Sequence, residues 1–226
     1  MTDIAKNYQA LQRRIQSSLA LTGQEESDFT IVAVSKKKSL ADIETAYNLG
    51  LDNFGENFVQ EAIKKIKAFK HKTTWHFIGS IQSNKAKPIS ENFDWVHTIT
   101  RYSIAEKLDK HRPKSLPPLH VCIQIQLHQD DSRNSLPINQ LFAMATKIKK
   151  LPSLKLRGLM GMTRFGASEE ERHQSYRTME MASHTLKDNG FEIDTLSMGM
   201  SDDLEIAIHN HANMIRIGTA LFGPRQ

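Results

Sequence analysis

The feature that most constrains this chain is an alternation that repeats eight times. A short β-branched or apolar run is followed by a segment with helical periodicity or a helix cap, and then the pattern starts again. The first such run is Phe29–Ser35 (FTIVAVS), and a helix over Leu40–Leu49 follows, with Ser39 as N-cap and Gly50 as stop. Further strands are expected at Asp52–Phe54, Thr74–Ile78, Trp95–Ile99, His120–Leu127, Lys155–Met162, Thr195–Met198 and Met214–Ile217. Between and after them the periodicity predicts helices over Phe58–Phe69, Asn84–Asn92 (interrupted at Pro88), Ser103–Lys110, Ile138–Lys149, Ser168–Asn189 and Asp203–His209, with a final turn at Thr219–Phe222.

Strict alternation implies parallel strands joined by crossover helices. Eight such units in 226 residues predict an α/β fold, a (β/α)8 TIM barrel, with the amphipathic helix Lys6–Leu21 as an N-terminal addition. An open doubly wound sheet is the alternative, but no GxGxxG follows the first strand. No linker or low-complexity tract divides the chain, so one domain over residues 1–226 is expected.

Composition narrows the class. With 39% hydrophobic and 24% charged residues, the chain is not disordered as a whole. Cys122 is the only cysteine, which excludes a disulfide framework. That single thiol and a polar N-terminus without a leader's apolar core predict a cytoplasmic protein. No apolar run reaches the roughly 18 residues of a membrane span. The net charge is +5, from 30 basic and 25 acidic residues, which raises the question of nucleic acid. The clusters at Lys64–Lys72 and Lys147–Lys150 interleave with apolar residues at helical spacing, so they read as solvated helix faces. Lys36–Lys38 differs, because it follows a strand directly.

In a parallel barrel the reactive face lies at the C-terminal strand ends. Side chains alternate along a strand, so Val32, Val34 and Lys36 share one face. A lysine aimed into a barrel mouth is a nucleophile toward aldehydes once its proton is released. Ser201-Asp202-Asp203 is expected to open a helix and Gly218-Thr219 to form a turn that admits a ligand to backbone amides; loops after the seventh and eighth strands often hold phosphate. Read as structure alone, Ser201 is an N-cap, Gly218 a turn and Lys36–Lys38 a solvated cluster. A lysine and a phosphate cradle across one mouth are what pyridoxal 5′-phosphate (PLP) requires. Weaker signals are a Walker-like GSIQSNK at Gly79–Lys85 that lacks the second glycine, and His209-Asn210-His211, whose spacing seldom converges on a metal.

Six ordered segments carry a family resemblance: VAVSK (Val32–Lys36), FGENFVQE (Phe54–Glu61), WHFIGSIQSNK (Trp75–Lys85), LRGLM (Leu156–Met160), SMGMSDD (Ser197–Asp203) and RIGTALFG (Arg216–Gly223). With them the chain closely resembles the pyridoxal phosphate homeostasis proteins, whose barrel is similar to the N-terminal domain of alanine racemase (fold type III among PLP proteins). The resemblance implies PLP as cofactor, held as a Schiff base on Lys36, with Ser201, Gly218 and Thr219 at its phosphate and Arg216 at its ring nitrogen. Met200 and Asn57 are expected to line the same pocket. His76 matches a family position too, but reads equally well as a hydrogen-bonded interior histidine. Two departures stand out. Lys37 and Ser39 flank Lys38 where the family often has Thr and Pro. Ser132-Arg133-Asn134-Ser135 replaces a usual Ser-Lys-x-Gly.

The implied function is PLP binding in intracellular PLP homeostasis without turnover of amino acids. The alternatives are a small PLP-dependent racemase and a barrel enzyme acting on a phosphorylated sugar. Racemisation needs acid–base groups on both faces of the substrate, the second being a tyrosine from a separate domain in racemases of this fold. The four tyrosines here, Tyr8, Tyr47, Tyr102 and Tyr176, all fall in or at the start of expected helices. The implied partners are PLP and PLP-dependent apo-enzymes as recipients, with no nucleic acid and no membrane. A monomer is expected.

Overall fold

In the computed structural model, which describes residues 3–128 and 135–224, eight parallel strands close into a barrel in chain order. They are β1 (Thr30–Val34), β2 (Asn53–Glu56), β3 (Thr74–Phe77), β4 (Trp95–Ile99), β5 (Leu119–Gln124), β6 (Leu154–Met160), β7 (Thr195–Ser197) and β8 (Met214–Ile217). The outer helices are α1 (Ile4–Thr22), α2 (Leu40–Asn48), α3 (Val59–Ala68), α4 (Ala86–Asn92), α5 (Tyr102–His111), α6 (Leu141–Ile148), α7 (Glu169–Asp188), α8 (Leu204–His209) and α9 (Thr219–Phe222). Closure comes from β1 pairing with β8 in the register Val32 to Arg216 and Ala33 to Ile217.

Alternation along each strand sorts the apolar residues into two layers. Ala33, Phe54, Phe77 and Ile215 belong to the large core between sheet and helices. Val32, Trp95, Cys122, Met160 and Met214 form a separate cluster inside the barrel. Cys122 is thus a small interior residue, and burial pushes its thiol pKa up to about 12. Helix starts follow the expected chemistry. Ser39 and Ser168 each form a capping box, with Asp42 and Glu171 respectively.

Four local expectations change. Gly55 and Glu56 belong to β2 rather than to the loop after it, because Gly55 pairs with His76 and Glu56 with Phe77. Pro88 does not interrupt its helix. It is the third residue of α4, where a backbone N–H has no intrahelical acceptor to lose. β5 ends at Gln124, and the chain then bridges from Ile125 to Leu136. Lys65 is not part of a solvated face: it is 7% exposed, while Lys64, Lys67 and Lys70 are exposed. Of the departing segment Ser132–Ser135, residues 132–134 lie outside the described residues.

The added helix α1 packs on α8 and α9. Arg14 pairs with Glu205 at 2.6 Å and donates to the Ser201 carbonyl at 3.1 Å, and Asn7 donates to the Leu221 carbonyl at 2.9 Å. The helix therefore braces the segments that follow β7 and β8. Among the described residues no helix is long and apolar enough to cross a membrane.

Candidate functional site

A cavity of about 330 Å³ opens at the C-terminal ends of the strands. Lys36, Asn57, Met200, Ser201, Arg216, Gly218 and Thr219 all line it, so the seven residues assigned to the pocket from the sequence reach one place. Val34, Met160, Met162 and Phe165 supply apolar wall.

Lys36 enters from just past β1. Val32 lies inside the barrel, and Val34 and Lys36 line the cavity, as alternation requires. Lys36 is half-buried and Lys37 exposed. Lys37 holds a left-handed φ of 60°, uncommon without glycine, and its N–H donates to Glu61 Oε1 at 2.6 Å. Lys38 Nζ donates to the Phe222 carbonyl at 2.9 Å, tying this turn to the end of α9.

Opposite stands the loop after β7. Gly199 starts it with φ 92°, and a Cβ there would meet the Ala207 Cβ at 2.6 Å, so both backbone and space demand glycine. Asp203 then fixes the loop. Its Oδ1 accepts from the Met200 N–H at 2.7 Å, and its Oδ2 accepts from Thr163 Oγ1 at 2.8 Å and the Tyr176 hydroxyl at 2.7 Å. Burial and the neighbouring carboxylate raise the Tyr176 pKa, so its proton stays in this contact. Ser201 does not cap α8, as the sequence suggests. Its Oγ accepts from the Ala220 N–H at 3.1 Å, joining the two loops across the mouth. Gly218 differs from Gly199. Its φ is −111°, and its Cβ would make only ordinary contact with Val34 at 3.6 Å. The fold does not require that glycine.

Arg216 is 4% exposed. It donates to Ser197 Oγ at 2.8 Å and to the Gly161 carbonyl at 2.9 Å. Below it a polar chain crosses the barrel interior: Ser197 Oγ to His97 Nδ1 at 2.8 Å, His97 Nε2 to His76 Nδ1 at 2.9 Å, and His76 Nε2 to Asn53 Oδ1 at 2.8 Å. The two ends set its direction. Asn53 Nδ2 donates to Asp52, which leaves Oδ1 to accept from His76 Nε2–H. Each ring is neutral, so His97 Nε2–H donates to His76 and Ser197 donates to His97 Nδ1. Burial first, and the neighbouring His120 second, lower the His76 pKa to about 3; His97 also falls well below the usual value, through burial, His76 and Arg216. His76 is therefore an interior histidine and not part of the cavity wall.

Asn57 contributes a further observation. Its Oδ1 is buried with no hydrogen-bond partner among the described residues. A buried orphan acceptor on a cavity wall suits a ligand donor.

Sequence reasoning missed Glu56, Glu61 and Lys65, which form an ion cluster behind Lys36 with Glu56 and Lys65 buried, and the pair Ser197 and His97 that holds Arg216. Two signals were available. Glu61 and Lys65 stand four apart on one helix, and Glu56 and Ser197 lie within the family segments.

Comparison with known proteins gives the family and the fold. The sequence matches the family described as alanine racemase, N-terminal domain, over residues 3–226. It is 42% identical over 226 residues to a pyridoxal phosphate homeostasis protein of Pseudomonas aeruginosa, covering 100% of this chain and 97% of that one. Its identity to the Escherichia coli protein of the same name is 41% over 229 residues, covering 100% of this chain and 98% of the other. Among solved structures, PipY of Synechococcus elongatus with PLP bound superposes with a TM-score of 0.83 at 33% identity, covering 93% of this chain and 99% of PipY. Alanine racemase of Corynebacterium glutamicum shares the fold, with a TM-score of 0.75 at 15% identity, covering 98% of this chain and 60% of that one. The chain belongs to the pyridoxal phosphate homeostasis protein family, built on the alanine racemase N-terminal barrel.

Proposed function

We propose that this chain, as one barrel domain, binds PLP in the mouth cavity and serves PLP homeostasis without turnover of amino acids. The observation that carries the reading is the convergence of all seven nominated residues on one cavity. The residues fit the group. Lys36 supplies an amine, Asn57 an unsatisfied buried acceptor, and Ser201, Gly218 and Thr219 a cradle with room for a phosphate.

Lys36 would hold the aldehyde carbon through Nζ. Ser201, already bonded to the Ala220 amide, would present its hydroxyl proton to the phosphate from a fixed position. Arg216 is assigned to the ring nitrogen, and the chain through Ser197 and the two neutral histidines keeps its guanidinium in place. When bound, the cofactor supplies an electron-accepting ring. A permanently charged guanidinium beside the ring nitrogen disfavours its protonation and weakens that capacity. None of the four tyrosines lines the cavity. Tyr176 is held by Asp203, and Tyr47 stacks on His71. Both features favour a binder over a racemase. The recipients are PLP-dependent apo-enzymes, and the protein acts as a monomer in the cytoplasm.

Visible absorbance of the purified protein with added PLP tests the reading. Wild type and Lys37→Ala should show the band of the lysine imine and a borohydride-fixed adduct. Lys36→Ala should show neither. A persistent adduct in Lys36→Ala would remove Lys36 from its role, and no band in wild type would sink PLP binding. Incubation with L-alanine in deuterated water separates binder from racemase: catalytic exchange at the α-carbon would favour the enzyme.

A further inference from the structure

Lys36 is gripped from both sides. On its N-terminal side Ser35 is buried; its carbonyl accepts from Lys65 Nζ at 2.7 Å, and its Oγ donates to Glu56 Oε1 at 2.7 Å. On its C-terminal side the Lys37 N–H donates to Glu61 Oε1 at 2.6 Å. Lys65 links the two grips, donating to Glu56 at 2.7 Å and to Glu61 at 2.6 Å. All three of its ammonium protons are thereby used, on one carbonyl and two carboxylates.

This cluster is an odd way to stabilise a fold. Glu56 is 0% exposed, its Oε2 has no partner among the described residues, and burial raises its pKa against the opposing bonds from Lys65 and Ser35. Buried ion pairs rarely outperform apolar packing of the same volume, so the cluster needs another reason to sit here. That reason is in the turn. Lys37 adopts a left-handed conformation that a non-glycine residue reaches only at a cost, and this conformation turns the chain directly after Lys36. Alternation decides which face Lys36 leaves from. It does not stop a residue just past a strand end from swinging toward water.

The geometry points to Glu56, Lys65 and Glu61 as a clamp that fixes the backbone on both sides of Lys36 and so aims its Nζ into the cavity. These are positioning residues, and the inference rests on the reading that Lys36 holds PLP. Glu61 is the accessible handle. Its side chain is 29% exposed and lies in the first turn of α3, so its replacement leaves the buried Glu56–Lys65 pair intact.

The test uses the whole chain without cofactor first. Trace acetylation with acetic anhydride, read by peptide mass spectrometry, gives the reactivity of Lys36 relative to exposed Lys64. In Glu61→Ala the Lys37 amide is released and Lys36 swings outward, so this ratio should rise about tenfold, the low end of the scale of a lost hydrogen bond to a charged group. PLP affinity of the same variant should fall about tenfold. Glu61→Gln keeps an acceptor for the Lys37 N–H and should return both values to within about twofold of wild type, a rescue that a purely ionic or bulk structural role would not give. Lys65→Met should repeat the Glu61→Ala pattern, with urea unfolding to show that it folds; if it does not fold, the two Glu61 variants decide alone. Unchanged Lys36 acetylation and unchanged PLP affinity in Glu61→Ala would overturn the clamp. If wild type fails to bind PLP, the functional reading falls, and the acetylation ratio still decides whether the cluster aims Lys36.

Discussion

At the N-terminal ends of the strands the barrel carries two cavities, of about 460 and 370 Å³; at the C-terminal ends the mouth cavity holds about 330 Å³, and a cavity of about 390 Å³ lies beside it among Thr163, Phe165, Arg172 and Asp202. Several polar groups that line the N-terminal pair are occupied with one another. Arg157 forks onto Asp194 and lies over the Trp95 ring, 4.8 Å from its centroid. Asn213 accepts from the Leu196 N–H and donates to the Asp194 carbonyl. At the mouth the arrangement is different. Asn57 Oδ1 has no partner among the described residues, and Ser201 accepts a bond while its own proton remains to give. Gly218 leaves space that the fold does not need. Convergent groups with bonding capacity left over mark a ligand site better than volume does.

The contrast can be broken at several points. The largest effect belongs to acid, which attacks the polar chain beneath the mouth. His76 and His97 stay neutral when folded but bind protons below pH about 6.5 when unfolded. The unfolded state then holds more protons, so stability falls as pH drops from about 6.5 toward about 3, where folded His76 titrates. The slope is about 1.4 kcal/mol per pH unit for each histidine. Urea unfolding at several pH values measures it, and an unchanged slope in a His76→Gln, His97→Gln double variant would show that these residues are not its source.

Next come the two glycines of the mouth. Gly199→Ala should cost about 2 kcal/mol of stability, through its left-handed φ and the contact with Ala207, and should weaken PLP binding by displacing the loop. Gly218→Ala should stay within about 0.5 kcal/mol of wild type in stability. It should still weaken PLP binding about tenfold, because its methyl group takes ligand space. Unchanged PLP titration of Gly218→Ala would remove this residue from the cradle. The smallest effect is at the other end. Arg157→Ala should lower stability by about 1 kcal/mol and leave PLP affinity as it was. A loss of PLP binding there would join the two ends of the barrel and undo the contrast.

Much of the fold is legible in the sequence because its signals are local. The extents of β4, β8 and α9 match those expected from the sequence, because apolar runs and flanking turn residues mark their ends. Boundaries fail where a partner elsewhere decides. β2 extends through Glu56 because β3 offers a pairing edge there, and β5 stops early because Leu136 takes over the next position. The seven cavity residues were legible because barrel strand ends are functional by topology and six segments carry a family resemblance. Lys65 was hidden. Its neighbours in sequence are exposed lysines at helical spacing, and the one local mark that separates it from them is Glu61 four residues earlier, a spacing equally at home on a solvated helix face.

By itself, then, the sequence determined eight strand–helix units, a lysine on the inward face at the end of the first strand, and a serine and a glycine–threonine pair after the last two. Those are properties of period and order, which a chain carries before it folds. Only the tertiary structure decided what each polar group meets. It put Ser201 on the Ala220 amide rather than at the head of α8, and it placed His76 in the interior chain rather than the cavity. It also buried Lys65 between Glu56 and Glu61 behind Lys36. Hydrogen bonds and burial are set by distances between segments far apart in sequence, and those distances exist only once β1 has closed on β8.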